Sequence, residues 1–119
     1  MKKTLVVGAS TNPDRYSYKA IHALRNAGHK VVALGLKPGK VADVEINTMK
    51  IPVENLHTVT LYVGPQHQPS LYEYIISLHP RRVIFNPGTE NPEFEHLLDA
   101  SGIDVQESCT LVLLSVNLF

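Results

Sequence analysis

Leu5-Val6-Val7-Gly8-Ala9-Ser10-Thr11-Asn12-Pro13-Asp14-Arg15-Tyr16-Ser17-Tyr18-Lys19-Ala20 runs from an apolar strand through a glycine turn into the start of a helix. A strand that ends in small residues and feeds a helix aims unpaired backbone N–H groups and the positive end of the helix dipole at one point. That point suits an anion, a phosphate above all. The G-x-G-x-x-G dinucleotide fingerprint would want glycine at positions 10 and 13, where this chain has Ser10 and Pro13. Side chains are therefore expected to take over part of what glycine backbone does elsewhere. Ser10 offers a hydroxyl, and Arg15 offers a forked, charge-assisted donor worth about 1.5–3 kcal/mol. The competing reading makes Ser10 or Asn12 a helix cap and Arg15 a solvated charge.

A chain of 119 residues, 44% hydrophobic and 18% charged, is long and apolar enough for one domain with its own core, here taken as residues 1–119. Eleven basic side chains balance eleven acidic ones. That balance argues against broad electrostatic capture of nucleic acid or of an anionic membrane, so an anion site has to be local. The lone Cys109 cannot form an internal disulfide, which fits a reducing compartment, and a cytoplasmic location is expected. Lys2-Lys3 before Leu5-Val6-Val7 superficially resembles an export signal, but the apolar run is far shorter than the roughly 7–15 residues such a signal needs. No stretch approaches the ~20 apolar residues of a membrane span.

Apolar runs rich in β-branched residues alternate with segments of helical spacing, the pattern of an α/β chain with a parallel, doubly wound sheet. Thr4–Val7 reads as the first strand, and Ile21, Leu24 and Ala27 mark the inward face of a helix that Gly28 ends. Lys30–Leu34 is the second strand, Lys37-Pro38-Gly39-Lys40 a turn, and Val44-Glu45-Ile46 at most a short strand. Thr58–Val63 is the third, followed by a helix with Leu71, Ile75 and Leu78 inward and Tyr72 and Ile76 beside them. Arg82–Phe85 is the fourth strand. Asn91-Pro92-Glu93 then supplies a cap, a first-turn proline and an acidic first turn for a helix with Phe94, Leu97 and Leu98 inward and Gly102 at its end. Ile103–Gln106 is the fifth strand, and the periodicity of Cys109–Leu114 fits either a strand or a buried helix, of which a short helix is the preferred reading. About five strands in the order 3-2-1-4-5 would place the ligand crevice at the carboxyl ends of the first and fourth.

In such a sheet the loops Gly8–Ser17, Gly35–Lys40, Gly64–Gln68 and Asn86–Asn91 share the ligand rim. Their Gly, Pro and Asn residues let backbone approach a ligand, although any strand-to-helix turn uses the same types. An NAD site places an acid near the end of the second strand for the ribose diol, whereas Val31-Val32-Ala33-Leu34-Gly35-Leu36 leads here to Lys37. A cation there attracts an additional ribose phosphate, as in NADP or coenzyme A; the plainer reading is a solvated turn lysine. The six histidines show no metal-ligand spacing, Gly8-Ala9-Ser10-Thr11-Asn12 is not a nucleophile elbow, and Cys109 reads as a structural thiol.

Leu5–Ala20, Lys30–Gly35 with Pro38, Thr58–Pro65, Arg82–Glu93 with its Asn86-Pro87-Gly88-Thr89 turn, and Cys109-Thr110-Leu111-Val112 together resemble the small single-domain CoA-binding proteins. These are relatives of the amino-terminal CoA-binding domain of the succinyl-CoA synthetase α subunit. The resemblance covers nearly the whole chain and implies a three-layer Rossmann-like fold that holds the CoA phosphates at the first glycine turn. It implies Gly8, Ala9, Ser10 and Arg15 at the pyrophosphate, Lys37 near the adenosine phosphate, and Gly64 and Pro65 beside the ligand path, with Gly88 joining them. The synthetase's phosphohistidine segment and nucleotide domain lie outside a chain of this length, so ligase activity is not inherited. Val41–Asn55 departs from the family's wording.

The expected function is binding of coenzyme A or an acyl-CoA without a catalytic step, and no catalytic residue and no metal ligand is assigned. The alternatives are an NADP-linked oxidoreductase, which would need a proton donor such as Tyr18 or Tyr62, and a scaffold with a vestigial nucleotide pocket. The scaffold reading would leave apolar surface for a homo-oligomer or a protein partner.

Overall fold

The computed structural model describes residues 1–119. Seven strands form one sheet: β1 (Thr4–Val7), β2 (Val31–Leu34), β3 (Gly39–Val41), β4 (Val44–Asn47), β5 (Thr58–Leu61), β6 (Arg82–Phe85) and β7 (Asp104–Glu107). They are ordered β3-β4-β2-β1-β5-β6-β7. Every neighbouring pair is parallel except β3–β4, an antiparallel hairpin. The helices are α1 (Tyr16–Asn26), α2 (Tyr72–Ser77), α3 (Pro92–Ala100) and α4 (Thr110–Ser115).

Residues of one strand face opposite sides in turn, and the chain uses this to build two cores. Leu5, Val7, Val59, Val83 and Phe85 pack with Ile75 of α2 and with Phe94 and Leu98 of α3. Val6, Ala33 and Ile84 pack on the opposite face with Ile21 and Leu24 of α1, where Leu113 and Leu114 of α4 join them. All four residues of β1 and of β5 are buried, which explains why both read as unbroken apolar or β-branched runs.

The α/β, doubly wound class is as expected from the sequence, but the sheet has seven strands rather than five, and their order differs. Thr58–Val63 was expected beyond the second strand; β5 instead lies beside β1, and only Thr58–Leu61 pairs. The reason is occupancy: β4 takes the outer side of β2 at Ala33 and Leu34, so the chain must cross back to reach an open edge. Lys37–Lys40 is only half a turn, because Gly39 and Lys40 belong to β3. Ala27 lies past the end of α1 and is exposed, and Leu97 stays 38% exposed. The helix read at Cys109–Leu114 is present as α4.

At the amino-terminal ends of the strands, Phe119 is buried with its ring centroid 4.4 Å from the Arg82 guanidinium carbon and 5.0 Å from that of His29. Lys2 Nζ donates to the Phe119 carbonyl. Arg82 Nε donates to Thr58 Oγ1, which also shares a 2.7 Å hydrogen bond with His57 Nδ1. His29 Nδ1 accepts the Lys2 backbone N–H. Burial, and after it the surrounding cations, holds both histidines below their usual range: Lys2 and Arg82 act on both, the terminal amine on His29, and Arg81 and His29 on His57. The unfolded chain therefore binds more protons below about pH 6.5, and stability rises with pH across that window. The melting temperature is expected to fall from pH 7.5 to 5.5, and to fall less in the double variant His29→Asn, His57→Asn; parallel pH profiles for the two proteins would contradict this.

Candidate functional site at the carboxyl ends of the strands

The order in which strands are added reverses at β1, since β1 leads out to β2 on one side and the return crossover delivers β5 to the other. A parallel sheet opens its ligand crevice at such a point, outside the carboxyl ends of the strands. Gly8 sits there with φ of +93°. A Cβ on it would lie 2.9 Å from Val63 Cγ1 and 3.1 Å from the Tyr62 carbonyl carbon and oxygen. Glycine is therefore needed twice over, for backbone conformation and for room.

The turn after β1 uses its donors in an order that the sequence did not reveal. Gly8 and Ala9 both donate their N–H to the Leu34 carbonyl, at 2.9 and 3.0 Å, so neither is left for a ligand. Asn12 N donates to Ser10 Oγ, Asp14 N to Asn12 Oδ1, and Arg15 N to the Asn12 carbonyl. Asn12 thus shapes the turn rather than capping the helix. The N-cap is Arg15, whose side chain caps nothing. The N–H groups of Ser10, Thr11, Tyr16, Ser17 and Tyr18 have no partner in the chain. Ser17 is 3% exposed and its hydroxyl is likewise unbonded, whereas Pro13, Arg15 and Tyr16 are exposed.

The neighbouring loops hold this turn tightly. A Cβ on Gly35 would overlap the Ala9 carbonyl oxygen, and one on Gly39 would overlap Thr11 Cγ2. Lys37 lies between these glycines, is exposed, and forms no ion pair. Gly64 opens the 3-10 turn Pro65–His67 after β5; a Cβ there would meet only the end of the long, exposed Gln66 side chain, so the position tolerates more than Gly8 does. The structure thus places Gly8, Ala9, Ser10 and Arg15 on the turn after β1, Gly64 and Pro65 on the turn after the neighbouring β5, and Lys37 on the loop after β2. Gly88, at φ +93°, lies a strand further along, on the loop after β6.

A buried amide network joins that further loop to the loop after β5. Gln68, wholly buried, donates from Nε2 to the carbonyls of Val63 (3.0 Å) and Thr89 (2.8 Å) and accepts from Asn91 Nδ2 at 2.9 Å. Asn86 donates to Thr60 Oγ1 and to the Leu61 carbonyl and accepts from Thr110 N. Asn91 Oδ1 caps α3 through Phe94 N. The Glu95 carboxyl is raised by burial first and then by Glu107 and Glu90, against the Asn91 N–H that it accepts. Tyr62, at the end of β5, has a buried hydroxyl without a partner, and burial pushes its phenol up to about 12. No group of three or more His, Cys, Asp or Glu side chains is placed to hold a metal, and no helix is long and apolar enough to cross a membrane.

A family model described as a CoA binding domain matches residues 2–115. The chain belongs to that family. The fold of this CoA-binding domain is also that of an uncharacterised protein whose crystal structure is 48% identical in sequence, with a TM-score of 0.97 over 100% of this chain and 98% of that one. The cell-free ID.343 protein of Thermus thermophilus is 22% identical, with a TM-score of 0.87 over 99% of this chain and 90% of its own. A dinucleotide-forming acetyl-coenzyme A synthetase 1 of Ca. Korarchaeum cryptofilum, in complex with phosphate and ADP, shares the fold at 14% identity and a TM-score of 0.72. The match covers 90% of this chain and 25% of that larger one. No curated relative matches the sequence.

Proposed function

We propose that the chain binds coenzyme A or an acyl-CoA as a single module, with the pyrophosphate over the amino end of α1. The uncapped first turn carries the reading: Ser10, Thr11, Tyr16, Ser17 and Tyr18 leave their N–H groups free beside the exposed Arg15 guanidinium. Oriented donors, a helix dipole and a forked cation are what a pyrophosphate needs to replace its water. Ala9 contributes through turn shape, since its N–H is committed to Leu34. Lys37 pairs with the ribose phosphate, Gly64 and Pro65 flank the pantetheine, and Gly88 lies further along its path. Lys19, one helical turn after Arg15 with Nζ 5.3 Å from the Tyr16 ring centroid, adds a second cation. No side chain of the crevice is assigned a catalytic step.

Isothermal titration with CoA, dephospho-CoA, NADP and NAD tests the reading. CoA is expected to bind most tightly. Dephospho-CoA should lose about 1.5–3 kcal/mol, the value of one charge-assisted contact, and Arg15→Ala should weaken CoA binding about tenfold or more. Equal affinity for CoA and dephospho-CoA removes the role of Lys37; tighter binding of NADP than of CoA overturns the ligand assignment.

A further inference from the structure

The β3–β4 hairpin is fastened to the rest of the molecule at both ends. At its turn, Arg25 of α1 grips Asp43 with two 2.8 Å hydrogen bonds, from Nε to Oδ1 and from Nη2 to Oδ2. Along its length, Val41, Val44 and Ile46 are buried against α1 and β1. At its open end, Asn47 accepts Gly35 N through its carbonyl and donates from Nδ2 to the Ala33 carbonyl. The two glycines that lead into the hairpin, Gly35 and Gly39, are the ones that lie against Ala9 and Thr11 without room for a Cβ. Neither has the positive φ that would by itself call for glycine.

We infer that the hairpin is a buttress that sets the position of the phosphate turn, with Gly35 and Gly39 as positioning residues acting through the Ala9 carbonyl and the Thr11 methyl. The inference rests on the CoA reading for its functional readout. Ala9 and Thr11 flank Ser10, so any displacement passes directly to the free N–H groups of Ser10 and Thr11. The two contacts should differ in strength. At Gly35 a methyl meets backbone and also Ile46 Cγ2 at 2.9 Å, so main chain must move. At Gly39 it meets only the end of the short Thr11 side chain, which can be removed by a second substitution.

The test uses the full chain and four variants: Gly35→Ala, Gly39→Ala, Thr11→Ser, and Gly39→Ala combined with Thr11→Ser. CoA affinity is read by titration, and the amide shifts of Ser10 and Thr11 are read by NMR without ligand. Gly39→Ala is expected to lower affinity about tenfold, because a shift of a fraction of an ångström spoils a preorganised site, and Gly35→Ala to lower it further. Adding Thr11→Ser removes the crowding methyl and should restore both affinity and amide shifts to those of Thr11→Ser alone. A Gly39→Ala loss that the serine leaves unrescued overturns the inference, as do wild-type affinities in both glycine variants. If Gly35→Ala does not fold, the Gly39 pair decides alone. If the wild type binds no CoA, the ligand reading falls, and the buttress is judged on the amide shifts: moved by Gly39→Ala and moved back by the serine supports it, unmoved overturns it.

Discussion

Asn86→Leu is expected to destabilise the protein by about 2–6 kcal/mol, since it leaves two buried backbone groups without partners at roughly 1–3 kcal/mol each. Asn86 is 3% exposed and spans three segments. Its Nδ2 reaches the Leu61 carbonyl at 2.8 Å and Thr60 Oγ1 at 2.7 Å, while its Oδ1 takes Thr110 N at 2.9 Å. Leucine has the same branched outline and number of heavy atoms with larger terminal groups, so no cavity opens. It leaves the Leu61 carbonyl and the Thr110 N–H dry and unbonded. Thr60 keeps a partner, because its hydroxyl also meets Thr110 Oγ1 at 2.8 Å. Urea unfolding should show a lower midpoint at an unchanged slope. A loss under about 1 kcal/mol would mean that water reaches these groups and that the network is not what ties the rim together.

Gly8→Val should combine a stability loss of about 2–4 kcal/mol with loss of CoA binding. A side chain at φ +93° costs on the order of 1–3 kcal/mol, and Val63 and the Tyr62 carbonyl leave its Cβ no space. The least costly relief is rotation of the Gly8 peptides, which breaks both bonds to Leu34 and carries Ser10 and Thr11 away. Affinity for CoA should then fall about a hundredfold or more in protein that is still folded at low temperature, as judged by titration beside circular dichroism. A folded Gly8→Val protein with wild-type affinity would move the ligand away from this turn.

Much of this was legible because its causes are local. Gly8 announces a turn of positive φ, Asn91-Pro92-Glu93 writes its own cap, and the apolar runs of β1, β5 and β6 need only be buried. The hairpin was not legible, since its two-residue turn is Ala42-Asp43, with Ala42 at φ +55°, rather than the Asn-Gly or Asp-Gly pair that signals one. Strand order is hidden in the sequence for the same reason: which edge of β2 is taken depends on the hairpin. Among the candidate site residues, the donors proposed at Ser10 and Arg15 follow from residue type, but the commitment of the Gly8 and Ala9 N–H groups to one carbonyl is a tertiary event. Ser17 carried a signal, a small polar residue in the first helical turn. Gln68 and Asn86 carried none beyond polarity, because a buried amide is recognised only by what surrounds it.

The hairpin joins the parallel sheet through only two pairs, Ala33 with Ile46 and Leu34 with Asn47, and leaves the outer edge of β2 bare at Val31 and Val32. Held beyond those two pairs by Arg25, Asn47 and its buried side chains, the hairpin is a unit that can open separately from the central strands. Because its approach supports the phosphate turn, such opening and ligand capture draw on the same equilibrium. An occupied crevice would slow exchange of amides in β3 and β4, in residues that never touch the ligand.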